Sequence, residues 1–207
     1  MGAVHSIRLA TVSRTSVPRL FHYATKRTKS AFFAAYSDKY LLYTNIASTT
    51  TLLGCGDLIS QYVSNDNLPF AIDWIRFRNA LMMGLIIGPM AHRWFKFLDS
   101  RKFTGSRTAI TLKKIVCDST VNPVFSATIV NGLGVLEGKS LSVAFSHYKE
   151  KFWDIFTLDM TVWPTAQFFN FFFLPPRFRV IYVNMVVLFY NTALSLIKHD
   201  NAVEIVY

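Results

Sequence analysis

The sequence predicts an all-α integral membrane protein: a bundle of four to five transmembrane helices with an amphipathic lead-in helix and a disordered basic N-terminus. Three observations lead to this fold class. Hydrophobic residues make up 52% of the 207 residues and charged residues only 16%, which is too apolar for a typical soluble protein. Several apolar segments approach the roughly 20 residues that cross a bilayer. One of them carries a row of polar residues at helical spacing, and such a row needs a partner inside hydrocarbon.

The charge distribution divides the chain into a leader, a helical domain and a tail. The leader, residues 1–37, contains six Lys or Arg and nine Ser or Thr but no acid. This composition is typical of a mitochondrial transit peptide, with cleavage expected in residues 19–35. A basic tail that is never cleaved is the alternative. Residues 38–200 are predicted to form the transmembrane helical domain, and residues 201–207 a short tail.

Five apolar segments are predicted to be helical. They run from about Tyr40 to Val63, Ile75 to Leu98, Ala109 to Leu136, Ser140 to Leu174 and Arg179 to Lys198. The first is the most polar, so the count of four or five spans stays open. In the second, Gly84 and Gly88 stand one helical turn apart and allow close contact with another helix. Pro175-Pro176 ends the fourth, because proline cannot continue the helical hydrogen-bond ladder.

The fourth segment carries the most informative row of polar residues. Asp159, Trp163, Gln167 and Asn170 occur at i, i+4, i+8 and i+11, so a helix places them on one face. Pro164 lies within the same segment and predicts a kink. The kink is interpreted as a static bend, with a gate hinge as the alternative.

Comparable rows occur on three other segments. They comprise Thr50, Gly54, Asp57 and Gln61 on the first, Lys114, Asp118 and Asn122 on the third, and Asn184, Asn191 and Ser195 on the fifth. Lys114 and Asp118 are one turn apart, so an ion pair between them is expected. Asp57 and Asp159 are expected either to pair with a basic side chain or to line a pore. The candidate partners are Arg76, Arg78, Arg93 and Lys114.

These rows allow two interpretations. Polar side chains can hold helices together, at roughly 0.6–2 kcal/mol per contact, or they can line an aqueous path. The sequence favours the packed polar core slightly. The candidate residues for the core or pore are Asp57, Gln61, Asp118, Asp159, Trp163, Gln167, Asn170, Asn184 and Asn191, with Pro164 as the hinge.

A basic loop joins the second and third segments. Its cationic residues are Arg101, Lys102, Arg107, Lys113 and Lys114. Because positive charge marks the loops that stay on one side of a membrane, we expect this loop on the same side as the leader. That side is the matrix if the leader is imported.

No catalytic arrangement is recognisable in the sequence. A glycine-rich phosphate loop, a metal-ligand spacing and a nucleophile elbow are all missing, which predicts a non-enzymatic protein without cofactor or metal. Cys55 and Cys117 lie within apolar segments and are interpreted as small buried hydrophobic residues. Trp94 is expected in an aromatic belt at the membrane interface, and His92 is expected to anchor the helix there.

A block of residues around the fourth segment resembles a known family, the Mpv-seventeen and peroxisomal membrane protein (22 kilodalton) family. The block consists of Trp163-Pro164, Gln167, Asn170-Phe171, Pro175 and Arg179. Further matches are Gly56-Asp57 with Gln61, Gly88-Pro89 with His92 and Trp94, and Glu137-Gly138. The chain is most similar to the Mpv-seventeen-like protein two branch, through Gly132-Leu133-Gly134, Lys151-Phe152-Trp153 and Phe178-Arg179-Val180. It departs from the family pattern at Tyr190 and Ser119.

The resemblance implies a multi-pass protein of the mitochondrial inner membrane, with the peroxisomal membrane as the alternative. For this branch it implies a role in mitochondrial ribosome assembly and translation, through contacts of the basic loop with ribosomal RNA or proteins. The alternative is a channel for small solutes or metabolites that maintains mitochondrial homeostasis and mitochondrial DNA. The expected partners are the lipid bilayer, a mitochondrial ribosomal subunit and a second copy of the chain, and no specific DNA sequence is expected.

Overall fold

The computed structural model describes residues 30–63 and 71–200, with side chains described up to residue 190. The helices are α1 (Leu41–Val63), α2 (Trp74–Ser100), α3 (Arg107–Leu136), α4 (Leu141–Phe173) and α5 (Arg179–Asp200), with a 3-10 turn at Pro176–Phe178. A short helix covers residues 30–35, and these described ranges contain no strand. The all-helical prediction and its five segments are confirmed. Most of the leader (residues 1–29), the tail (residues 201–207) and the side chain of Asn191 lie outside the described residues.

Polar side chains fix where three of the helices begin. The carboxylate of Asp73 accepts hydrogen bonds from two backbone N–H groups in the first turn of α2, and Ser106 and Ser140 each accept one at the start of α3 and α4. Caps of this kind typically contribute about 0.5–2 kcal/mol. The cap at Ser106 explains why α3 begins earlier than predicted. Gly138 follows the end of α3 with a φ of 90°, a conformation that favours glycine.

The closest helix pair is α1 and α2. A Cβ atom on Gly84 would lie 2.4 Å from the Cα of Thr50, and one on Gly88 would lie 2.9 Å from the Cα of Ile46. The predicted close contact at these two glycines is therefore confirmed. The α5 helix packs along α1, α3 pairs with α4, and the interface between α2 and α3 is smaller than either of these.

Successive helices run in opposite directions, so the turns gather at two ends of the bundle. The leader end contains residues 30–40, 101–106 and 174–178, and the far end contains residues 71–73 and 137–140. At the leader end the ring of Tyr36 packs on that of Phe178, with centroids 5.1 Å apart. The last residues of the predicted leader and the basic loop therefore lie at the same end of the bundle, as the charge pattern predicted.

An apolar core lies between α2, α3, α4 and α5, and other large apolar side chains are exposed. The core residues are Ala91, Phe95, Leu98, Ile115, Phe171 and Val180. Exposed examples include Tyr43, Tyr62 and Phe189, at 67–70% of their full surface. The sequence predicted four to five membrane spans, but no helix in the described part of the chain combines the length and the apolar character that a span requires.

Candidate functional site

Four polar residues from three helices form one hydrogen-bonded group, the central polar cluster. Its members are Trp94 on α2, Asp118 on α3, and Gln167 and Asn170 on α4. The Asp118 carboxylate accepts from Trp94 Nε1 at 2.7 Å and from Gln167 Nε2 at 2.7 Å. Gln167 Oε1 in turn accepts from Asn170 Nδ2 at 2.7 Å. Asp118, Gln167 and Asn170 are 9%, 4% and 0% exposed, so the cluster is buried where the three helices meet.

The carboxylate of this cluster is held by neutral groups. Asp118 has no ion pair among the described residues, and both of its donors are uncharged N–H groups. A buried carboxylate needs such donors, because removing it from water is unfavourable. In the described part of the chain, Asn170 Oδ1 is also buried without a hydrogen-bond partner. The cluster therefore contains one buried acceptor without a donor, Asn170 Oδ1, and one carboxylate without a cation beside it, Asp118.

A second group, the leader-end ion cluster, joins α2, α3 and α5. The Oδ1 atom of Asp99 accepts from Lys114 Nζ at 2.6 Å and also from Arg179 Nη1. Both cations lie over the ring of Phe171, at 5.8 and 5.2 Å from its centroid. The predicted ion pair between Lys114 and Asp118 is therefore wrong. The carboxylate of Asp99 reaches Lys114 across the interface of α2 and α3, and neutral donors already occupy Asp118.

A third group lies at the far end, between α1 and α2. Asp57 Oδ1 pairs with Arg76 Nε at 2.6 Å, and Gln61 Nε2 donates to Asp57 Oδ2 at 2.7 Å. Gln61 Oε1 also accepts from the backbone N of Asp73 at 2.8 Å. The structure thus pairs Asp57 with one of its four expected partners. This group ties the end of α1 to the start of α2.

Two further contacts involve α1 residues that the sequence reasoning missed. Asn45 Nδ2 lies 3.0 Å from His92 Nδ1 on α2, and Asn184 Nδ2 on α5 donates to Thr49 Oγ1 at 2.8 Å. Asn45 and Thr49 are both buried, and their four-residue spacing could have indicated a shared face. His92 therefore bonds to a neighbouring helix, a contact that its interpretation as an interfacial anchor did not include.

The polar row on α4 separates into two bonded pairs. Trp163 Nε1 donates to Asp159 Oδ1 at 3.1 Å within the helix, whereas Gln167 and Asn170 belong to the central polar cluster. Pro164 lies between the pairs, and α4 continues through it as one helix. Asp159 has no ion pair among the described side chains. The structure therefore places Asp57, Asp159 and Gln167 in three separate groups.

The basic loop is largely exposed, apart from Lys114. Arg101, Lys102, Arg107 and Lys113 are exposed. Arg101 and Arg107 stack on phenylalanine rings at 4.1 and 4.4 Å, and Lys113 donates to a loop carbonyl at 2.8 Å. Lys114 differs, because its side chain is only 12% exposed in the ion cluster. The four exposed residues are called the leader-end basic surface below; they are Arg101, Lys102, Arg107 and Lys113.

A groove lies apart from the polar groups. It has a volume of about 760 Å³ and lies between the second half of α3 and the first half of α4, with Val124, Phe145 and Phe152 in its wall. Among the described residues, none of the predicted core or pore residues lines it. The polar rows therefore contact one another rather than this open space.

Comparison with known proteins identifies the family. The model of the Mpv17 / PMP22 family matches residues 134–195, which include Gln167 and Asn170. Protein SYM1 of Candida albicans is 31% identical, over 77% of this chain and 91% of its own. The mitochondrial inner membrane protein Mpv17 of Caenorhabditis elegans is 30% identical, over 75% of this chain and 85% of its own. The chain belongs to the Mpv17 / PMP22 family. No solved structure matches it.

Family membership also decides the location. The Mpv17 of Caenorhabditis briggsae, 27% identical over 79% of this chain and 89% of its own, is likewise named a mitochondrial inner membrane protein. This member of the Mpv17 / PMP22 family is a protein of the mitochondrial inner membrane. The resemblance of the Trp163–Arg179 block to the family is confirmed, and so is the inner-membrane prediction. Two of the most buried polar residues of the fold, Gln167 and Asn170, belong to that block.

Proposed function

We propose that this inner-membrane protein is a non-enzymatic factor that supports mitochondrial ribosome assembly and translation, with its leader end facing the matrix. The proposal rests on the leader-end basic surface. Its four cations stand within one short stretch, Arg101 to Lys113, at the end where the acid-free leader enters the bundle. The resemblance to the Mpv-seventeen-like protein two branch supports the ribosomal role.

The chemistry of this surface suits a phosphate-rich partner. The nearest acid, Asp99, is already paired with Lys114 and Arg179, so it does not neutralise the exposed cations. Stacking on aromatic rings holds the guanidinium groups of Arg101 and Arg107 at the surface. Cations placed in this way bind ribosomal RNA mainly through its phosphates, and such binding weakens as salt rises.

Gradient sedimentation of solubilised mitochondria tests the proposal. The test variant replaces Arg101, Lys102 and Lys113 with Gln, and the control variant replaces Lys139, Lys149 and Lys151 with Gln. The control removes the same charge from exposed positions in the half of the bundle nearer the far end. We expect wild type and control to co-sediment with a ribosomal subunit at moderate salt, and the test variant to dissociate.

Salt dependence sharpens this test. The slope of log affinity against log salt should fall by about one for each phosphate that the variant no longer binds. Unchanged co-sedimentation of the test variant, or an equal decrease in the control, would contradict the proposed use of this surface. Normal ribosomal subunit levels after depletion of the protein would contradict the ribosomal role itself.

A channel for small solutes is a second candidate, and one observation favours it. Buried polar side chains from all five helices face the inside of the bundle, among them Asn45, Asn79, Thr111, Asn170 and Asn184. In the described arrangement several of the buried polar groups bond to other polar side chains, such as Asn170 to Gln167 and Asn184 to Thr49. A solute would therefore pass only after the central polar cluster separates. For this candidate, Asp118 and Gln167 are the residues that would control passage of a solute, rather than Asp57 and Asp159.

Purified protein in planar bilayers distinguishes the second candidate. If the protein is a channel, Gln167→Ala should alter its conductance, whereas Asp57→Ala at the far end of the bundle should alter it much less. A wild-type protein without conductance, or a conductance that is unaffected by Gln167→Ala and Asp118→Ala, would contradict a path through the central polar cluster.

A further inference from the structure

We propose that Lys114 is a two-position switch, which binds Asp99 when α3 is packed against α2 and binds Asp118 when α3 is released. The inference concerns how the bundle opens, and it goes beyond both the ribosomal role and the channel because it requires neither. It rests on the arrangement of two carboxylates and two cations at adjoining levels of the bundle.

The described arrangement is the packed position. The ammonium of Lys114 lies 2.6 Å from Asp99 Oδ1, so it ties α3 to the end of α2. Arg179 donates to the same oxygen and ties α5 to that point. The side chains of Lys114 and Arg179 are only 12% and 7% exposed. Water therefore screens these contacts weakly, and the choice of partner matters to the conformation.

Asp118 provides the second position. It stands one helical turn from Lys114 on α3, a spacing at which opposite charges reach one another. In the packed position its oxygens accept only from Trp94 and Gln167, both neutral. A move of Lys114 would give Asp118 a cation and would leave Arg179 on Asp99. Each carboxylate then has one cation, whereas in the packed position Asp99 has two and Asp118 has none.

The move would loosen α3 from two neighbours at once. It removes the ion pair between Asp99 and Lys114, and it competes with the hydrogen bonds that link Asp118 to Trp94 on α2 and to Gln167 on α4. The interface of α2 and α3 is smaller than that of α1 and α2, so less packing opposes its separation, apart from the contact of Ile115 with the apolar core. Two arrangements with the same charges and different helix contacts form a bistable element.

The chain contains a natural reporter for this separation. Cys117 neighbours Asp118 and packs partly buried against the apolar core, so it should react with a maleimide faster when α3 moves away. The other cysteine, Cys55, is exposed and is replaced by Ser in the background protein. The rate of Cys117 labelling is measured in detergent micelles on the full chain.

Two substitutions should change this rate in opposite directions. Asp99→Asn weakens the packed position and should accelerate labelling by about fivefold or more, at the lower end of typical coupling between sites. Asp118→Asn removes the second position and should slow labelling. Asp154→Asn, which neutralises an exposed carboxylate on α4, is the matched control and should leave the rate unchanged. Faster labelling in both Asp99→Asn and Asp118→Asn would overturn the switch, because general loosening of the bundle predicts it.

A second background keeps the proposal testable if Asp118→Asn fails to fold. Lys114→Gln removes the group that must move, so Asp99→Asn should then produce no further acceleration. An acceleration as large in the Lys114→Gln background as in the parent would overturn the proposal. Circular dichroism on each variant verifies that the helical content is unchanged.

Discussion

Asp57 and Asp118 are both carboxylates at helix interfaces, but different kinds of donor bind them. Each carboxylate joins neighbouring helices, and each accepts from one glutamine, Gln61 or Gln167. The other donor is a cation for Asp57, the guanidinium of Arg76, and a neutral indole for Asp118, that of Trp94. The side chain of Arg76 is 51% exposed at the far end, although that of Asp57 is only 9% exposed. At the other site Gln167 is buried and Trp94 is partly buried.

The two sites differ in the charge and the exposure of the partner group. At the end of the bundle the charge of Arg76 stays in contact with solvent, so the ion pair forms without burying a cation. A cation beside Asp118 would have to leave water, as Lys114 and Arg179 do beside Asp99, and this desolvation is unfavourable. At Asp118 two neutral N–H groups serve as the donors. Removal of a donor or acceptor should therefore lower the free energy of unfolding much more at Asp118 than at Asp57.

The largest effect is expected for Asp118→Ala. The substitution leaves Trp94 Nε1 and Gln167 Nε2 buried without an acceptor, and such groups together cost about 2–4 kcal/mol of the free energy of unfolding. Denaturant unfolding of the purified protein in detergent measures the decrease. A decrease no greater than that of Asp57→Ala would remove the distinction between the two sites.

An intermediate effect is expected for Gln167→Leu. Leucine has a similar size but neither donates to Asp118 nor accepts from Asn170, so the free energy of unfolding should fall by about 1–3 kcal/mol. Phe169→Leu, at an exposed position on the same helix, is the control and should change it little. Equal stability of Gln167→Leu and wild type would show that the α4 row does not hold the helices together.

The smallest effect is expected for Asp57→Asn. Solvent can replace the carboxylate as a partner for the exposed guanidinium of Arg76, so the free energy of unfolding should fall by less than about 1 kcal/mol. High salt should reduce the difference between Asp57→Asn and wild type further. A larger decrease that is insensitive to salt would show that the exposed guanidinium does not weaken this ion pair, and it would contradict the comparison.

The sequence predicts the helices and their close contacts well, because these depend on local patterns. Periodicity located the five helices, Pro175-Pro176 indicated the end of α4, and the spacing of Gly84 and Gly88 indicated close packing. The distribution of positive charge placed the basic loop at the end that the leader approaches.

The partners across helices were harder to predict. The i, i+4 rule paired Lys114 with Asp118, yet Asp99 and Trp94 on α2 changed both partners. Position near a segment end suggested a membrane anchor for His92 and gave no indication of its contact with Asn45. Such contacts depend on how each helix is rotated toward its neighbour, and one-dimensional spacing does not contain that rotation.

The central claim is that the polar rows of different helices bind one another directly. A double-mutant cycle between Asp118→Ala and Gln167→Ala in the purified protein tests it most directly, with Asp57→Ala and Gln167→Ala as the control pair. We predict a coupling energy of about 0.5–2 kcal/mol for Asp118 with Gln167 and none for Asp57 with Gln167. A coupling energy of zero between Asp118 and Gln167 would contradict the claim.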